Sequence, residues 1–323
     1  MRRAEEHPSV GTGPANTAGP ELPAAEPAAE PAGAVVAWAA AALAAAGVAS
    51  PRVDAEVLTA HVLGVPRSRL LLAAAPDAAQ RARLAGLVAA RAGRAPVQHL
   101  LGRAAFRHLE LAVGPGVFIP RPETELLAGW GIAAVAARPD PVVVDLCSGS
   151  GAVALAVAQE VPAARVYAVE RDRAALEWLR RNAADRAAAG DRPVEVVAGD
   201  VADPELLVGL RDRVDVVLCN PPYVPDAVRV PPEVADHDPA VAVFGGADGL
   251  AVIRPVIALA AALLRDGGGL GIEHDDGHGT AVPALLAADG RFVEIVDHQD
   301  LTGRPRFATA RRVHGRLSPR DAL

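Results

Sequence analysis

The stretch PVVVDLCSGSGAVALAVAQE, residues 141–160, decides the fold class. It begins with an apolar run, continues through a turn with two glycines, and ends in an apolar segment of helical composition. Strand and helix patterns then alternate as far as Cys219, and the strands are nearly continuous runs of Val, Ala and Leu. Such runs are typical of parallel strands covered on both faces. We therefore predict an α/β domain with a doubly wound, mostly parallel sheet.

The segments around this domain predict the remaining organisation of the chain. Two strand patterns at residues 291–299 and 304–312 follow each other without a helix, which predicts an antiparallel final pair. Cap signals between Ala34 and Arg94 predict a small helical domain. Alternating polarity in residues 106–123, broken at Gly114-Pro115-Gly116, predicts a hairpin. The predicted divisions are a disordered tail (1–32), a helical substrate-recognition domain (33–100), a hairpin linker (101–120), a catalytic domain (121–314) and a tail (315–323).

Composition limits the classes of function. The net charge of −7 gives the chain no general attraction to the phosphate backbone, so we expect no direct nucleic-acid partner. Two cysteines, Cys147 and Cys219, are too few for a disulfide scaffold or a cysteine metal site, so we expect a reducing cytoplasm and no metal. Glu5 and Glu6 lie where a signal peptide would need its apolar run, and the apolar stretch 34–49 is too short to span a bilayer. We therefore expect neither export nor membrane insertion.

Polar and small residues follow three successive strand patterns, where ligands of open α/β sheets bind. The turn after the first strand is Cys147, Ser148, Gly149, Ser150 and Gly151. Its glycines allow close approach of a ligand, and the next helix presents free N–H groups. Glu170 ends the second strand, where an acid binds ribose hydroxyls, and Asp200 and Val201 end the third, where they suit an adenine. Together they predict a nucleoside ligand, carried by a dinucleotide or a sulfonium compound.

The fourth strand ends on Asn220-Pro221-Pro222-Tyr223. Each proline fixes φ and removes an N–H donor, so Asn220 is held rigidly. Its amide oxygen and the Pro221 carbonyl are two acceptors that suit a planar NH₂ group, and the Tyr223 ring can stack on that group. Since the nitrogen lone pair of such a group is delocalised, we expect catalysis by positioning and by stabilisation of the developing positive charge.

The sequence resembles a known family across residues 35–312. The resemblance rests on the glycine turn, the acid at the second strand end and NPPY, together with PVQHLLGRAAFRHLEL (96–111), VFIPRPETELL (117–127) and DLTGRPRFATAR (300–311). The chain is similar to the HemK/PrmC family of class I S-adenosylmethionine-dependent methyltransferases. That resemblance implies a Rossmann-like, mostly parallel seven-stranded sheet with an N-terminal helical domain and a hairpin linker. It also implies a monomeric protein-glutamine N5-methyltransferase that acts on the Gly-Gly-Gln glutamine of peptide chain release factors.

Carried over by position, the resemblance assigns residues to roles. The positions that bind S-adenosyl-L-methionine in the family correspond to Cys147 to Gly151, Glu170, Asp200, Val201 and Asn220. The catalytic positions correspond to Asn220, Pro221 and Tyr223, and the substrate-binding positions correspond to Asn220 to Tyr223. The sequence departs from the family at Cys147, often glycine, which matters little where φ is negative, and at IEHDDGHG (272–279), which leaves contacts there open.

Two further clusters have structural and functional interpretations. Arg121, Glu123 and Glu125 either open a helix with acids in its first turn or help to position substrate or cofactor. His274, Asp275, Asp276 and His278 have the residue types of a metal site, but we expect an exposed loop.

Three alternatives to release-factor methylation stay open at this point. A ribosomal-protein glutamine methyltransferase would share the catalytic corner. An adenine-N6 methyltransferase would need a basic recognition domain, and the acidic, Ala-rich amino-terminal half argues against it. A non-catalytic docking module would not need the intact Gly149, Gly151, Glu170 and Asn220.

Overall fold

A computed structural model describes residues 31–315. The two predicted tails, 1–32 and 315–323, lie almost entirely outside these residues. The described chain divides into two compact units, the first ending at Ala95 and the second beginning at Pro96. Neither contains a helix long and apolar enough to cross a membrane, as far as residues 31–315 are concerned.

The first unit is helical, and its caps are those that the sequence indicates. Its elements are α1 (Ala32–Ala45), α2 (Pro51–Leu63), a 3₁₀ segment (Arg67–Leu72) and α3 (Ala78–Ala92). Gly64 ends α2 in the left-handed conformation at φ 67°. Asp77 and Gln80 form a reciprocal capping box at the start of α3. Leu43, Leu58 and Leu84 are fully buried at the centre of the unit.

The second unit alternates strands and helices. Its elements are α4 (Val97–Leu101), β1 (Arg103–Phe106), β2 (Leu109–Ala112), α5 (Thr124–Val135), β3 (Val142–Leu146), α6 (Ala152–Glu160), β4 (Arg165–Glu170), α7 (Arg173–Ala188), β5 (Glu195–Ala198), a 3₁₀ segment (Val208–Leu210), β6 (Val214–Cys219), α8 (Pro232–His237), α9 (Ala240–Val243), α10 (Ile253–Leu263), β7 (Leu264–Glu273), a 3₁₀ turn (Asp276–His278), α11 (Ala281–Asp289), β8 (Phe292–Gln299) and β9 (Pro305–Arg312).

Within residues 96–315, seven strands form one sheet in the order β5-β4-β3-β6-β7-β9-β8. The pairs among β5, β4, β3, β6 and β7 are parallel, whereas β9 runs antiparallel to β7 and β8 antiparallel to β9. Every residue of β3 is buried, as its continuous apolar run predicts. The mostly parallel sheet and its antiparallel final pair are confirmed. The strand order reverses at β3, because β4 and β5 lie on one side of it and β6 on the other. This reversal places the expected ligand crevice at the carboxyl end of β3.

The hairpin exists, but the predicted position of its turn is wrong. β1 and β2 pair from Arg103↔Ala112 to Phe106↔Leu109, so the turn lies at Arg107 and His108. Arg107 adopts a left-handed φ of 51° and donates from Nε and Nη2 to Glu160. This ion pair holds a turn without glycine, whereas Gly114-Pro115-Gly116 lies beyond β2.

Asn182 on α7 joins the hairpin to the glycine turn that follows β3. Its Oδ1 accepts from Ala112 N at 2.8 Å, and its Nδ2 donates to Ala112 O at 3.0 Å and to Ser150 O at 2.9 Å. The side chain is only 2% exposed, so water does not replace these bonds. Asn182 therefore fixes the position of the turn relative to β2.

We predict that Asn182→Ala lowers the free energy of unfolding by about 2–4 kcal/mol, because it leaves buried backbone groups of Ala112 and Ser150 without partners. Chemical denaturation followed by circular dichroism measures the change. Asp185→Ala, on the exposed face of the same helix, serves as the control and should change stability by less than about 0.5 kcal/mol. Equal effects of the two substitutions would contradict the role of Asn182.

Candidate functional site

A cavity of about 410 Å³ opens at the carboxyl ends of the parallel strands. It collects most of the residues that the sequence predicts as functional. Those that line it are Cys147, Ser148, Gly149, Ser150, Glu170, Asp200, Val201, Asn220 and Pro222. Gly151, Pro221 and Tyr223 do not belong to its lining. Four strand ends therefore share one cavity, as the parallel topology requires.

The turn after β3 bends sharply, with three residues at positive φ. Gly149 and Gly151 have φ of 55° and 89°, and a Cβ atom at Gly151 would lie 2.6 Å from Leu179 Cδ1. Cys147 has φ 57°, so the expectation that a negative φ makes this departure from glycine unimportant is wrong. A side chain in this region costs about 1–2 kcal/mol. Cys147 therefore keeps a backbone shape that glycine adopts without strain.

Glu170 is held by the backbone of the cavity wall. Its Oε2 accepts from Gly149 N at 2.9 Å, and its Oε1 accepts from Arg171 N and Asp172 N, both at 2.8 Å. The residue is 8% exposed and lines the cavity. The Gly149 bond ties the end of β4 to the turn after β3. Two oxygens in a fixed orientation fit a pair of neighbouring hydroxyl groups, and this role stays a prediction.

The end of β5 presents a polar and an apolar residue side by side. Asp200 Oδ1 accepts from Ala202 N at 2.9 Å, and its Oδ2 accepts from Arg171 Nη1 at 3.1 Å. These bonds hold the pKa of Asp200 below its ordinary value. Val201 is buried at 7% exposure and lines the same wall. An acceptor next to an apolar surface suits an aromatic base with an exocyclic amine.

Asp145, in β3, is a buried carboxyl beneath the turn. Its Oδ2 accepts from Ala154 N at 3.1 Å, and the Ser148 hydroxyl donates to the backbone carbonyl of Asp145 at 2.9 Å. Burial raises the pKa of Asp145 to about 7, and the negative charge of Glu170 adds to the increase. Protonation of the cavity floor therefore changes near neutral pH.

At the corner after β6, Asn220 faces the cavity through one end of its amide. Its Nδ2 donates to Thr124 Oγ1 at 3.0 Å, which leaves Oδ1 as an acceptor. Tyr223 behaves differently, since its hydroxyl donates to Glu273 Oε1 at 3.1 Å and its ring packs against the core. Burial raises the pKa of Tyr223, so the phenol stays protonated at neutral pH.

Glu273 and Thr124 belong to this corner, although sequence reasoning did not single them out. Glu273 ends β7, is 1% exposed, and has a pKa raised to about 7 by burial. The signal that could have found it is its position, because it ends the strand next to β6, as Glu170 ends the strand next to β3.

The loop after β7 corrects one expectation. His274 is fully buried, with its ring nitrogens 2.8 Å from Asp297 Oδ1 and 2.9 Å from Asp275 O, so it is not part of an exposed loop. Asp275 instead caps the following turn by accepting from Gly277 N. Within residues 31–315, no group of three or more His, Cys, Asp or Glu side chains could hold a metal ion.

The segment from α8 to α9 closes one side of the cavity, which the sequence did not predict. Pro239, Val241 and Phe244 line the wall. Arg121 Nη2 donates to Asp238 Oδ2 at 2.6 Å, and the side chain of Asp238 is 1% exposed. Arg121 therefore attaches this segment to the chain before α5, which favours the positioning role over a simple helix start.

Comparisons with known proteins match the chain to two family descriptions and to curated relatives. The family description PrmC N-terminal domain matches residues 34–102, and Methyltransferase small domain matches residues 128–235. A release factor glutamine methyltransferase from Mycolicibacterium smegmatis is 56% identical over 84% of this chain and 94% of that relative. One from Streptomyces coelicolor is 50% identical over 84% of this chain and 94% of its own length.

The chain belongs to the release factor glutamine methyltransferase family. It is an enzyme with a methyltransferase fold, and the family predicted from its motifs is confirmed. Among solved structures, it is similar to the release factor-specific protein-(glutamine-N5) methyltransferase of Alicyclobacillus acidocaldarius. That similarity has a TM-score of 0.38 and 25% identity over 62% of this chain and 98% of that one.

For this methyltransferase we predict that Asp145→Asn raises the melting temperature more at pH 8 than at pH 5.5. The folded-state pKa of Asp145 is raised, so ionisation opposes folding increasingly as pH rises from the ordinary carboxyl value through about 7. Asparagine has no such cost and still accepts from Ala154 N. Calorimetry of both proteins at the two pH values measures the difference. The substitution Asp140→Asn, at an exposed position, is the control. An increase in the melting temperature of Asp145→Asn that does not depend on pH would contradict the prediction.

Proposed function

We propose that this enzyme transfers a methyl group from S-adenosyl-L-methionine to the side-chain amide nitrogen of the glutamine in the Gly-Gly-Gln motif of peptide chain release factors. The observation that carries the proposal is the Asn220 corner, which shares one cavity with the strand ends predicted to bind a nucleoside. The names of the relatives support the same substrate class.

The residues of the cavity fit S-adenosyl-L-methionine. Glu170 offers two oriented oxygens, and Asp200 with Val201 offers an acceptor beside an apolar surface. At Gly149 a Cβ atom would meet nothing within 4 Å, so the turn leaves open space at the cavity. When bound, this cofactor supplies an electrophilic methyl group on a positively charged sulfur.

The chain itself supplies orientation at the acceptor. Asn220 Oδ1 accepts one hydrogen of the substrate NH₂ group, and the Pro221 carbonyl, predicted as the second acceptor although Pro221 does not line the cavity, accepts the other. Neither acceptor has a competing donor on the Pro-Pro backbone. Holding both hydrogens directs the nitrogen lone pair towards the methyl group and stabilises the positive charge that forms. Stacking by the Tyr223 ring on the amide plane stays a prediction, and its hydroxyl bond to Glu273 fixes the phenol end of the ring.

We further propose that the helical unit binds the protein substrate. Leu71 and Leu72, on the 3₁₀ segment of that unit, are 81% and 88% exposed and follow Arg67 and Arg69. Residues 31–95 contain seven arginines and three acidic residues, whereas residues 1–30 contain two arginines and five acidic residues. The expected acidic character of the amino-terminal half therefore does not describe the helical unit, and its charge no longer argues against a nucleic-acid substrate. The names of the relatives, not this charge, favour a protein.

We expect the purified enzyme to transfer labelled methyl from S-adenosyl-L-methionine to a whole release factor. It should not label the same factor with its Gly-Gly-Gln glutamine changed to alanine. Asn220→Ala should lower kcat by at least about 10²-fold, because removing an oriented transition-state acceptor has that order of effect. Filter binding of the labelled factor measures turnover, and circular dichroism checks that the variant keeps its fold.

Equal labelling of the factor and its alanine variant would contradict the assignment of the Gly-Gly-Gln glutamine as the methyl acceptor. No labelling of either, with cofactor bound, would favour the ribosomal-protein or adenine alternatives. Both can be tested in the same assay with ribosomal protein or DNA as acceptor.

For the helical unit we predict that Leu71→Ser combined with Leu72→Ser raises KM for the whole release factor about tenfold and leaves kcat unchanged. Removing two exposed leucines weakens docking without touching the cavity residues, and about 1.4 kcal/mol corresponds to tenfold. Steady-state kinetics with varied release factor measures both constants. Val208→Ser, an exposed apolar residue of the second unit, is the control. A KM within twofold of the wild-type value would exclude this surface from substrate binding.

A further inference from the structure

The chain from the end of α8 through α9 forms one wall of the cavity with little packing of its own. None of the residues of α8 is buried, and α9 buries only Val243. Three residues of this wall segment, residues 238–246, nevertheless line the cavity: Pro239, Val241 and Phe244. Since burial of apolar surface is the main force that fixes a surface segment, contacts outside the two helices must hold this wall in place.

One end of the wall segment is joined to the acceptor corner through the backbone. Val224, just beyond the corner, donates from its N–H to Val243 O at 3.0 Å and accepts from Gly245 N at 2.9 Å. Val224 and Phe244 form an isolated parallel bridge. A Cβ atom at Gly245 would lie 2.6 Å from Pro222 O, so the two backbones are in close contact. This end of the wall segment is therefore fixed to the corner.

The other end is held by the side chain of Arg121. Its Nη2 donates to Asp238 Oδ2 at 2.6 Å, and the side chain of Asp238 is 1% exposed. Burial raises the pKa of Asp238, and the Arg121 charge is the strongest influence that opposes this increase. Asp238 Oδ1 is buried and has no hydrogen-bond partner among the described residues. Arg121 is therefore the main compensation for burying this carboxylate.

Arg121 also contacts a second part of the cavity wall. Its guanidinium carbon lies 4.8 Å from the centroid of the Phe118 ring, and Phe118 lines the cavity. The backbone O of Arg121 accepts from Thr124 N at 3.2 Å, and Thr124 Oγ1 accepts from Asn220 Nδ2 at 3.0 Å. One arginine thus connects Phe118, the wall segment and the residue that holds the Asn220 amide.

We propose that Arg121 is a positioning residue that holds Phe118 and the wall segment around the side chain of the methyl acceptor. The inference rests on the proposed function, since it assigns the support of the same corner. Both parts of the wall are apolar, so they suit the methylene groups that carry the acceptor amide, while Asn220 receives the amide itself. Arg121 acts through Asp238 and the Phe118 ring.

Loss of the guanidinium group should change the orientation of the acceptor rather than its docking. A buried carboxylate without its partner takes up a proton or moves into water, and the short helices α8 and α9 offer little resistance to such a movement. The wall then no longer holds the acceptor amide in line with the methyl group, and a misplacement of about 1 Å can cost about 10²-fold in rate. Docking through the helical unit remains, so we expect kcat to fall and KM to change little.

The first experiment observes the wall segment without any methyl acceptor. The chain contains five phenylalanines, so labelling with fluorophenylalanine gives five ¹⁹F signals, and Phe244→Leu identifies the signal of the wall segment. We expect Arg121→Met to shift or broaden the Phe244 signal. The signals of Phe106 and Phe292, which are fully buried in the core, are the internal controls. An unaltered Phe244 signal in Arg121→Met would overturn the proposal.

The isosteric pair Asp238→Asn and Asp238→Leu tests the same contact from its other side. Asparagine keeps an acceptor for Arg121, and its NH₂ group can take the position of Oδ1, which has no hydrogen-bond partner among the described residues. Leucine has no acceptor. The Phe244 signal should therefore resemble that of the wild type in Asp238→Asn and that of Arg121→Met in Asp238→Leu. The same signal in both Asp238 variants would contradict the role of the ion pair.

The second experiment uses the release-factor assay. Arg121→Met should lower kcat at least about tenfold, with KM for the release factor and Kd for the cofactor within about twofold of wild type. Asp238→Asn should keep kcat within about threefold. Independent losses multiply, whereas two losses of one contact do not, so Arg121→Met combined with Asp238→Leu should stay within about threefold of Arg121→Met alone. A multiplied decrease, or a raised KM with unaltered kcat, would overturn the role.

The two experiments separate the failure of this inference from that of the proposed function. A wild-type enzyme that labels no release factor contradicts the proposed function, while the ¹⁹F signals still test the attachment of the wall segment. A wild type that labels the factor, with a Phe244 signal indifferent to Arg121, contradicts the positioning alone. Should Arg121→Met fail to fold, the Asp238 pair tests the same contact.

Discussion

The pairing of β3 with β6 is the constraint on which the site depends. Their register places Leu146 opposite Cys219, so the glycine turn and the Asn220 corner leave the sheet at the same level. A shift of one residue would move the corner by about 3.3 Å and turn its side chains to the other face. Full burial of β3 and near-complete burial of β6 resist such a shift, because it would expose apolar residues or bury polar ones. Core packing thus sets the relation between the predicted cofactor turn and the acceptor corner.

Much of this arrangement was predictable, because parallel strands bring their carboxyl ends together. Once Glu170, Asp200 and Asn220 are recognised as residues at strand ends, their shared cavity follows from topology. The turn of the hairpin was not predictable in the same way, since Gly114-Pro115-Gly116 is a stronger local turn signal than Arg107 and His108. The Arg107 to Glu160 ion pair overrides it, and that contact spans 53 residues of sequence.

The same limit explains why Glu273 and His274 were not assigned from sequence. Each owes its environment to β9 or β8, through Arg306 for Glu273 and Asp297 for His274. Those strands pair antiparallel after a crossover, and their register with β7 is not encoded in the segment around residues 272–279. Cys147 is a third case, because a left-handed φ at a non-glycine residue arises from the surrounding packing and is not visible in the residue itself.

The use of arginine as the only long basic residue leaves the side-chain cations beside the cavity permanently charged. The chain contains no lysine, and the guanidinium group stays charged throughout the physiological range. Arg121 and Arg306 therefore keep a permanent positive charge beside Asp238 and Asp300. Asp145 and Glu273 are buried without a direct arginine partner, and both have a pKa raised to about 7. One lies beneath the predicted cofactor turn and the other behind the acceptor corner, so a single change of pH acts on both halves of the site.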